Sequence, residues 1–199
     1  MISVIDYDAG NGPSVLAALT HIGEPAELIS SAAELENASA IILPGVGSAG
    51  ATMTSLAELG LVEPLLKRMR AGTPFLGICV GLQILFEHSE EDDATCLGWF
   101  PGRVRRFNDD LRVPQIGWNS VKRTREHPLL AGLEPENHFY FVNSYYAAPS
   151  PELVLGEATY GVPFAAMVSR DNVHATQFHA EKSGPLGLKI LKNFAKQKA

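Results

Sequence analysis

Two cysteines in 199 residues are too few for a disulfide framework, so Cys79 and Cys96 read as free thiols suited to a reducing compartment. Long hydrophobic runs are missing as well: nothing approaches the length of a membrane span. The opening Met1-Ile2-Ser3-Val4-Ile5-Asp6-Tyr7 carries neither a basic region nor a signal-cleavage site, and the chain reads as cytoplasmic, with no membrane partner. Positive charge is the minority, 16 Lys and Arg against 22 Asp and Glu, for a net −6 without a basic block, which argues against a nucleic-acid surface. Linkers, repeats and low-complexity stretches are absent, so residues 1–199 read as one domain with a sizeable core. A nucleotide loop is excluded by spacing. Gly10 and Gly12 lack the third glycine of G-x-G-x-x-G, and no P-loop lysine occurs.

What is present alternates at first between strand and helix. Strands are expected at Ile2 to Asp6, Ala26 to Ile29 and Ala40 to Leu43, and helices at Ser14 to Ile22, Ala32 to Asn37 and Thr52 to Arg70, the last with Met53, Leu56, Leu59 and Leu66 inward. This is the rhythm of a parallel sheet with helical crossovers. The loop from Asp8 to Pro13, through Ala9 and Gly10, would then lie at the carboxyl edge of that sheet, where ligands of such folds bind. The acidic run Glu87 to Asp93 reads as a solvated loop or helix end. Beyond Cys96 come short β-branched and aromatic segments, at Gly102 to Phe107, Ser120 to Arg123, Phe139 to Tyr146, Leu153 to Thr159, Phe164 to Ser169 and Val173 to Phe178. They suit antiparallel strands, which makes the sheet mixed. An amphipathic helix from Gly184 to Lys198 closes the chain.

Chemistry concentrates at Pro74-Phe75-Leu76-Gly77-Ile78-Cys79-Val80-Gly81-Leu82-Gln83. An apolar strand ends at Cys79 and helical character follows, with glycines on both sides to let strand and helix pass closely. That is the pattern of a nucleophile elbow, here with a thiol. A helix start behind the thiol favours an anion, and nearby N–H groups can bind an oxyanion. A cysteine nucleophile needs a histidine base and a group to orient it. Of six histidines, His88 would sit about 13 Å along a continuing helix from Cys79 and on its opposite face, His21 and His127 suit the surface, and His138 and His174 suit packing. His179 ends a strand, and Glu181 two residues later falls on the same face of an extended chain.

The segments Gly77-Ile78-Cys79-Val80-Gly81-Leu82-Gln83 and Gln177-Phe178-His179-Ala180-Glu181-Lys182-Ser183 resemble the elbow and histidine signatures of class I glutamine amidotransferases. Pro44-Gly45-Val46-Gly47, Val113-Pro114-Gln115-Ile116-Gly117-Trp118-Asn119 and Phe139 to Tyr146 are similar to the glutaminase subunits of histidine biosynthesis. The resemblance implies a flavodoxin-like α/β fold, a mixed central sheet with helices on both faces, and no metal or cofactor. It implies a catalytic trio of Cys79, His179 and Glu181, with oxyanion donors at Val80 and the Gly45-Val46-Gly47 loop. It also implies glutamine contacts at Gln83, Asn143, Ser144 and Tyr145. Ammonia would pass to a cyclase subunit with a (β/α)8 barrel, met by Asn11, Trp118 and Lys182. Four positions differ from the family pattern: Asp8 in place of glycine, Gln115 and Asn143 in place of histidine, and Ala180 in place of proline. A glutaminase of another pathway, a freestanding cysteine hydrolase on the same elbow fold and a non-catalytic subunit are the alternatives at this point.

Overall fold

The computed structural model describes residues 1–8, 11–108 and 110–197. Ala9 and Gly10 of the first loop, and Lys198 of the closing helix, lie outside the described residues. The first half alternates β1 (Ile2–Ile5), α1 (Gly12–His21), β2 (Ala26–Ile29), α2 (Ala32–Leu35), β3 (Ala40–Gly45), α3 (Ala49–Glu58), α4 (Val62–Arg70), β4 (Phe75–Cys79) and α5 (Val80–Gln83). The second half is mostly strand: β5 (His88–Ser89), β6 (Ala94–Thr95), β7 (Arg103–Arg106), β8 (Gln115–Arg123), β9 (Glu136–Asn143), β10 (Tyr145–Ala148), β11 (Val154–Tyr160), β12 (Val162–Arg170) and β13 (Val173–Thr176), before α6 (Gly184–Ala195).

Nine strands form one mixed sheet in the order β2-β1-β3-β4-β13-β12-β11-β8-β9. β2, β1, β3, β4 and β13 run parallel, and β12 to β9 pair antiparallel. The parallel strands β1, β3 and β4 are buried at every residue, which explains their unbroken apolar sequences. From β1 the chain steps one way to β2 and then back across to β3 and β4. Right-handed crossovers therefore put α1 on one face and α2 to α4 on the other. Contacts of α1 with α6, and of α2 with α4, agree. A second sheet, β10-β7-β5-β6, sits beside the elbow. No helix among the described residues is long and apolar enough to cross a membrane.

Three expectations fail, the third only in part, for local reasons. The helix expected over Thr52 to Arg70 is broken at Gly60, whose φ of +64° is left-handed. Gly60 N–H bonds Ala57 O and Leu61 N–H bonds Leu56 O, while Leu56 and Leu61 are both buried in the core. This is a Schellman stop, and it turns Leu59 outward to 37% exposure. The segment Phe139 to Tyr146 is two strands in different sheets, joined at Ser144. The acidic run leaves Glu87, Glu90, Asp92 and Asp93 exposed, as a solvated stretch should, but it is not a plain loop or helix end: β5, a 3-10 turn and β6 form there, and its carboxylates accept backbone N–H groups, Glu87 from Gly102, Glu90 from Arg106 and Glu91 from Ala49.

Candidate active site

β3 and β13 flank β4, with Gly45 opposite Cys79 and Thr176 opposite Ile78, so three parallel strands end together at the cysteine. Cys79 has φ 57° and ψ −109°, a conformation that side-chain-bearing residues rarely adopt. Packing enforces it. A Cβ on Gly77 would stand 2.4 Å from Gly81 O, one on Gly81 2.1 Å from Leu43 O, and one on Gly45 2.7 Å from the Val80 Cβ. These glycines let two strands and the elbow touch backbone to backbone, which pins the strained turn.

The helix behind the thiol is shorter than expected. Ile84, Leu85 and Phe86 are fully buried, and their carbonyls accept N–H groups from Leu97, Phe100 and Gly98, so the returning chain ends α5 after one turn. Little helix dipole is left to hold a thiolate. The positive neighbour is His179.

His179 stands at the end of the central strand β13, with φ −80° and ψ 100°, and Ala180 to Lys182 then turn as a 3-10 helix. Glu181 thus reaches the imidazole from a turn and not from an extended strand. Its Oε1 accepts the Nδ1 proton at 2.8 Å, and its side chain has no exposed surface. The turn is tied to β9 by a ring of bonds: His179 N–H to Tyr140 O, Tyr140 N–H to Ser183 Oγ, and Ser183 O–H to His179 O. Burial works against a charged imidazole here, but hydrogen bonds with Cys79 and Glu181 outweigh it and raise His179 to about 10. A histidine cation against a thiol is the setting of an activated cysteine nucleophile.

In front of the thiol lies a cavity of about 220 Å³, below the usual size of drug-sized pockets and fit for one small molecule. Cys79, His179, Val80, Val46 and Gly47 line it together with Gln83, Asn143 and Ser144. Gln83 donates to the carbonyl of Tyr145 and to Gln177 Oε1, and Asn143 donates to the same Tyr145 carbonyl. Tyr145 therefore anchors the two amides and is not itself in the lining. Gln83 Oε1 and Asn143 Oδ1 are buried acceptors without a partner, which a donor on a bound molecule would satisfy. Gly47, at φ +89°, permits a backbone conformation that side chains resist, and places the loop after β3 against the cavity.

Two contributors escaped the sequence reading. Glu91, from the acidic run, lines the cavity and is raised by burial, although the Ala49 N–H holds it. Gln177 donates to the Cys79 sulfur at 3.7 Å, and the sulfur in turn contacts the Val142 carbonyl at 3.8 Å. Only the fold brings the acidic run to this edge, but the Gln177 position inside a recognisable signature was a signal. Among the residues expected at a partner surface, Trp118 is 57% exposed, with its strand neighbour Ile116 at 63%, and Lys182 is exposed. Asn11 is half-buried and donates to Glu181. A larger groove of about 700 Å³, between α2 and α4, carries no nucleophile and lies apart from these groups.

The sequence profile of class-I glutamine amidotransferases matches residues 3–198, and the chain belongs to that family of enzymes. Among named relatives, it is 48% identical over 202 residues to the imidazole glycerol phosphate synthase subunit HisH of Desulfovibrio desulfuricans, covering 98% of this chain and 93% of that one. The HisH subunit of Desulfitobacterium hafniense is also 48% identical, with 98% and 94% covered. In solved structures the fold matches PurLQS from Thermotoga maritima at a TM-score of 0.80 and 18% identity, covering 98% of this chain and 97% of that one. It also matches a crystal structure described as glutamine amidotransferase, at 0.77 and 22%, with the same coverage.

Proposed function

We propose that this chain is the glutaminase subunit of an imidazole glycerol phosphate synthase, hydrolysing L-glutamine to glutamate and ammonia for a partner subunit in histidine biosynthesis. The observation that carries the chemistry is His179, bonded through Nδ1 to the buried Glu181 at 2.8 Å and lining one cavity with the elbow thiol of Cys79. Nearly full-length similarity to HisH subunits supports the pathway.

In this reading the thiol proton of Cys79 resides on His179 Nε2, the thiolate attacks the side-chain amide carbon, and the carbonyl electrons move onto oxygen, near the N–H of Val80 and the Gly45-Val46-Gly47 loop. His179 gives its Nε2 proton to the departing nitrogen, the C–N bond breaks and ammonia leaves a thioester. His179 then takes a proton from water, which attacks the thioester; the C–S bond breaks and glutamate is released. Glu181 keeps the ring oriented throughout. Among the described residues, Glu91 is the one carboxylate in the cavity lining, and it suits the α-ammonium of glutamine. The unpartnered oxygens Gln83 Oε1 and Asn143 Oδ1 suit its remaining donors, and Ser144 lies in the same lining.

A cyclase subunit with a (β/α)8 barrel would cover the apolar patch of Trp118 and Ile116, with Lys182 at its rim. The test is glutamine hydrolysis by the purified chain, with and without that subunit carrying its nucleotide ligand. At least about a hundredfold stimulation is expected, the scale of restoring one oxyanion donor. Full turnover by the isolated chain, unchanged by the partner, would instead favour a freestanding amidase.

A further inference from the structure

Asn11 begins α1 where an asparagine ordinarily caps the helix, yet its side chain makes no capping bond. The amide is committed elsewhere. Its Nδ2 donates to Glu181 Oε1 at 2.7 Å, across 170 residues of sequence. The same oxygen accepts the Nδ1 proton of His179 at 2.8 Å, while Oε2 is buried without a partner. Two donors therefore share one oxygen of a fully buried carboxylate. Each draws on the charge available to the other, so Asn11 weakens the pull of Glu181 on the imidazole as well as fixing its rotamer. Asn11 itself is half-buried, and is thus the contact through which the buried carboxylate reaches the molecular surface.

Resting on the glutaminase reading, we propose that Asn11 is a positioning residue that holds Glu181 in place and tempers the basicity of His179. The consequence is chemical. A more basic His179 is a poorer proton donor to the departing nitrogen and is less often neutral when water must be activated.

The test uses the complex with its cyclase subunit at saturating concentration. Asn11→Leu is expected to lower kcat for glutamine hydrolysis about tenfold, the scale of one hydrogen bond to a charged group, with KM changed less than twofold. The pH profile of kcat should move to higher pH, and the Nδ1 proton resonance of His179 should move downfield while signals of His174 stay in place. Asn11→Ser, which can cap the helix but is too short to span the contact, should behave alike and keeps the test decisive if the leucine variant fails to fold. Unchanged kcat, pH profile and His179 resonance overturn the proposal, including the case in which only affinity for the partner falls and Asn11 is a docking residue. Absence of glutaminase activity in the wild-type complex would strike the functional reading instead, and the resonance would still decide the role of Asn11.

Discussion

His174 and His179 lie five residues apart, one within β13 and one just past its end, and they are 1% and 4% exposed. Burial opposes the charged ring at both. At His174 it prevails, with His127 and Arg125 adding repulsion, and the imidazole is pushed down to about 4. At His179 the hydrogen bonds with Cys79 and Glu181 reverse the outcome, to about 10. The partners explain the difference. His174 Nε2 meets Gln197 Oε1, an acceptor, so the proton resides there and Nδ1 accepts from Ser169 O–H. Ser169 Oγ is then free to accept from His127 Nε2, whose Nδ1 accepts the Leu129 N–H. Every proton in this chain has one place, and none is left for a charge. Burial among neutral hydroxyl and amide partners makes a neutral structural histidine; burial between a thiol and a carboxylate makes a base.

Removing the groups that reverse the outcome at His179 tests that contrast. Cys79→Ala has the largest expected effect, a loss of glutamine hydrolysis of roughly 10⁵-fold or more. The assembled complex should still use added ammonium salt, because the thiol serves only amide cleavage. Wild-type turnover in the variant would remove Cys79 from the mechanism.

Glu181→Gln comes next. It keeps the shape of the side chain but replaces the carboxylate, and about 10³- to 10⁴-fold in kcat should be lost, by analogy with the orienting acid of hydrolase triads. His179 keeps its Cys79 partner but should titrate below its wild-type position, readable by NMR. If His179 stayed high in this variant, the carboxylate would not be the source of its basicity.

The two halves of this contrast were not equally legible in the sequence. The elbow was, because backbone contact at Gly77 and Gly81 admits no other residue, and a composition rule then becomes a spacing rule. His179 and Glu181 were legible as a pair two residues apart, although the expected extended geometry is a turn. The network at His174 was not: Ser169, Gln197 and His127 come from distant segments, and His127 was assigned to the surface. The Schellman stop at Gly60 was readable from Leu59-Gly60-Leu61 followed by Pro64, but the continuing apolar pattern masked it. Two departures from the family pattern acquire a reason only in three dimensions. Gln115 and Asn143 face each other across β8 and β9, so the two replacements of histidine form one cross-strand pair. Asp8 takes the left-handed φ of +64° that glycine would hold freely, steadied by its N–H on Asp6.

The smallest expected effect is on stability, and it isolates the other half of the contrast. His174 has its folded value depressed to about 4, so its contribution is fully present above the unfolded value of roughly 6.5 and is lost as the pH falls toward the folded one. His179, raised to about 10, has the opposite sign: its contribution is present below roughly 6.5 and is lost as the pH rises toward the folded value. Of these two histidines, His174 is therefore the one that adds acid lability. His174→Gln retains a donor and an acceptor for Ser169 and Gln197 without a titrating group, and should cost about 1 kcal/mol at pH 7 and leave glutaminase activity unchanged. Between pH 7 and pH 5 the wild type should lose about 2 kcal/mol more than the variant, as 1.4 kcal/mol per pH unit acts over the part of that interval below 6.5. Urea unfolding at the two pH values measures both. Parallel losses in the two proteins would mean that His174 is not held neutral, and that its burial differs from that of His179 in degree and not in kind.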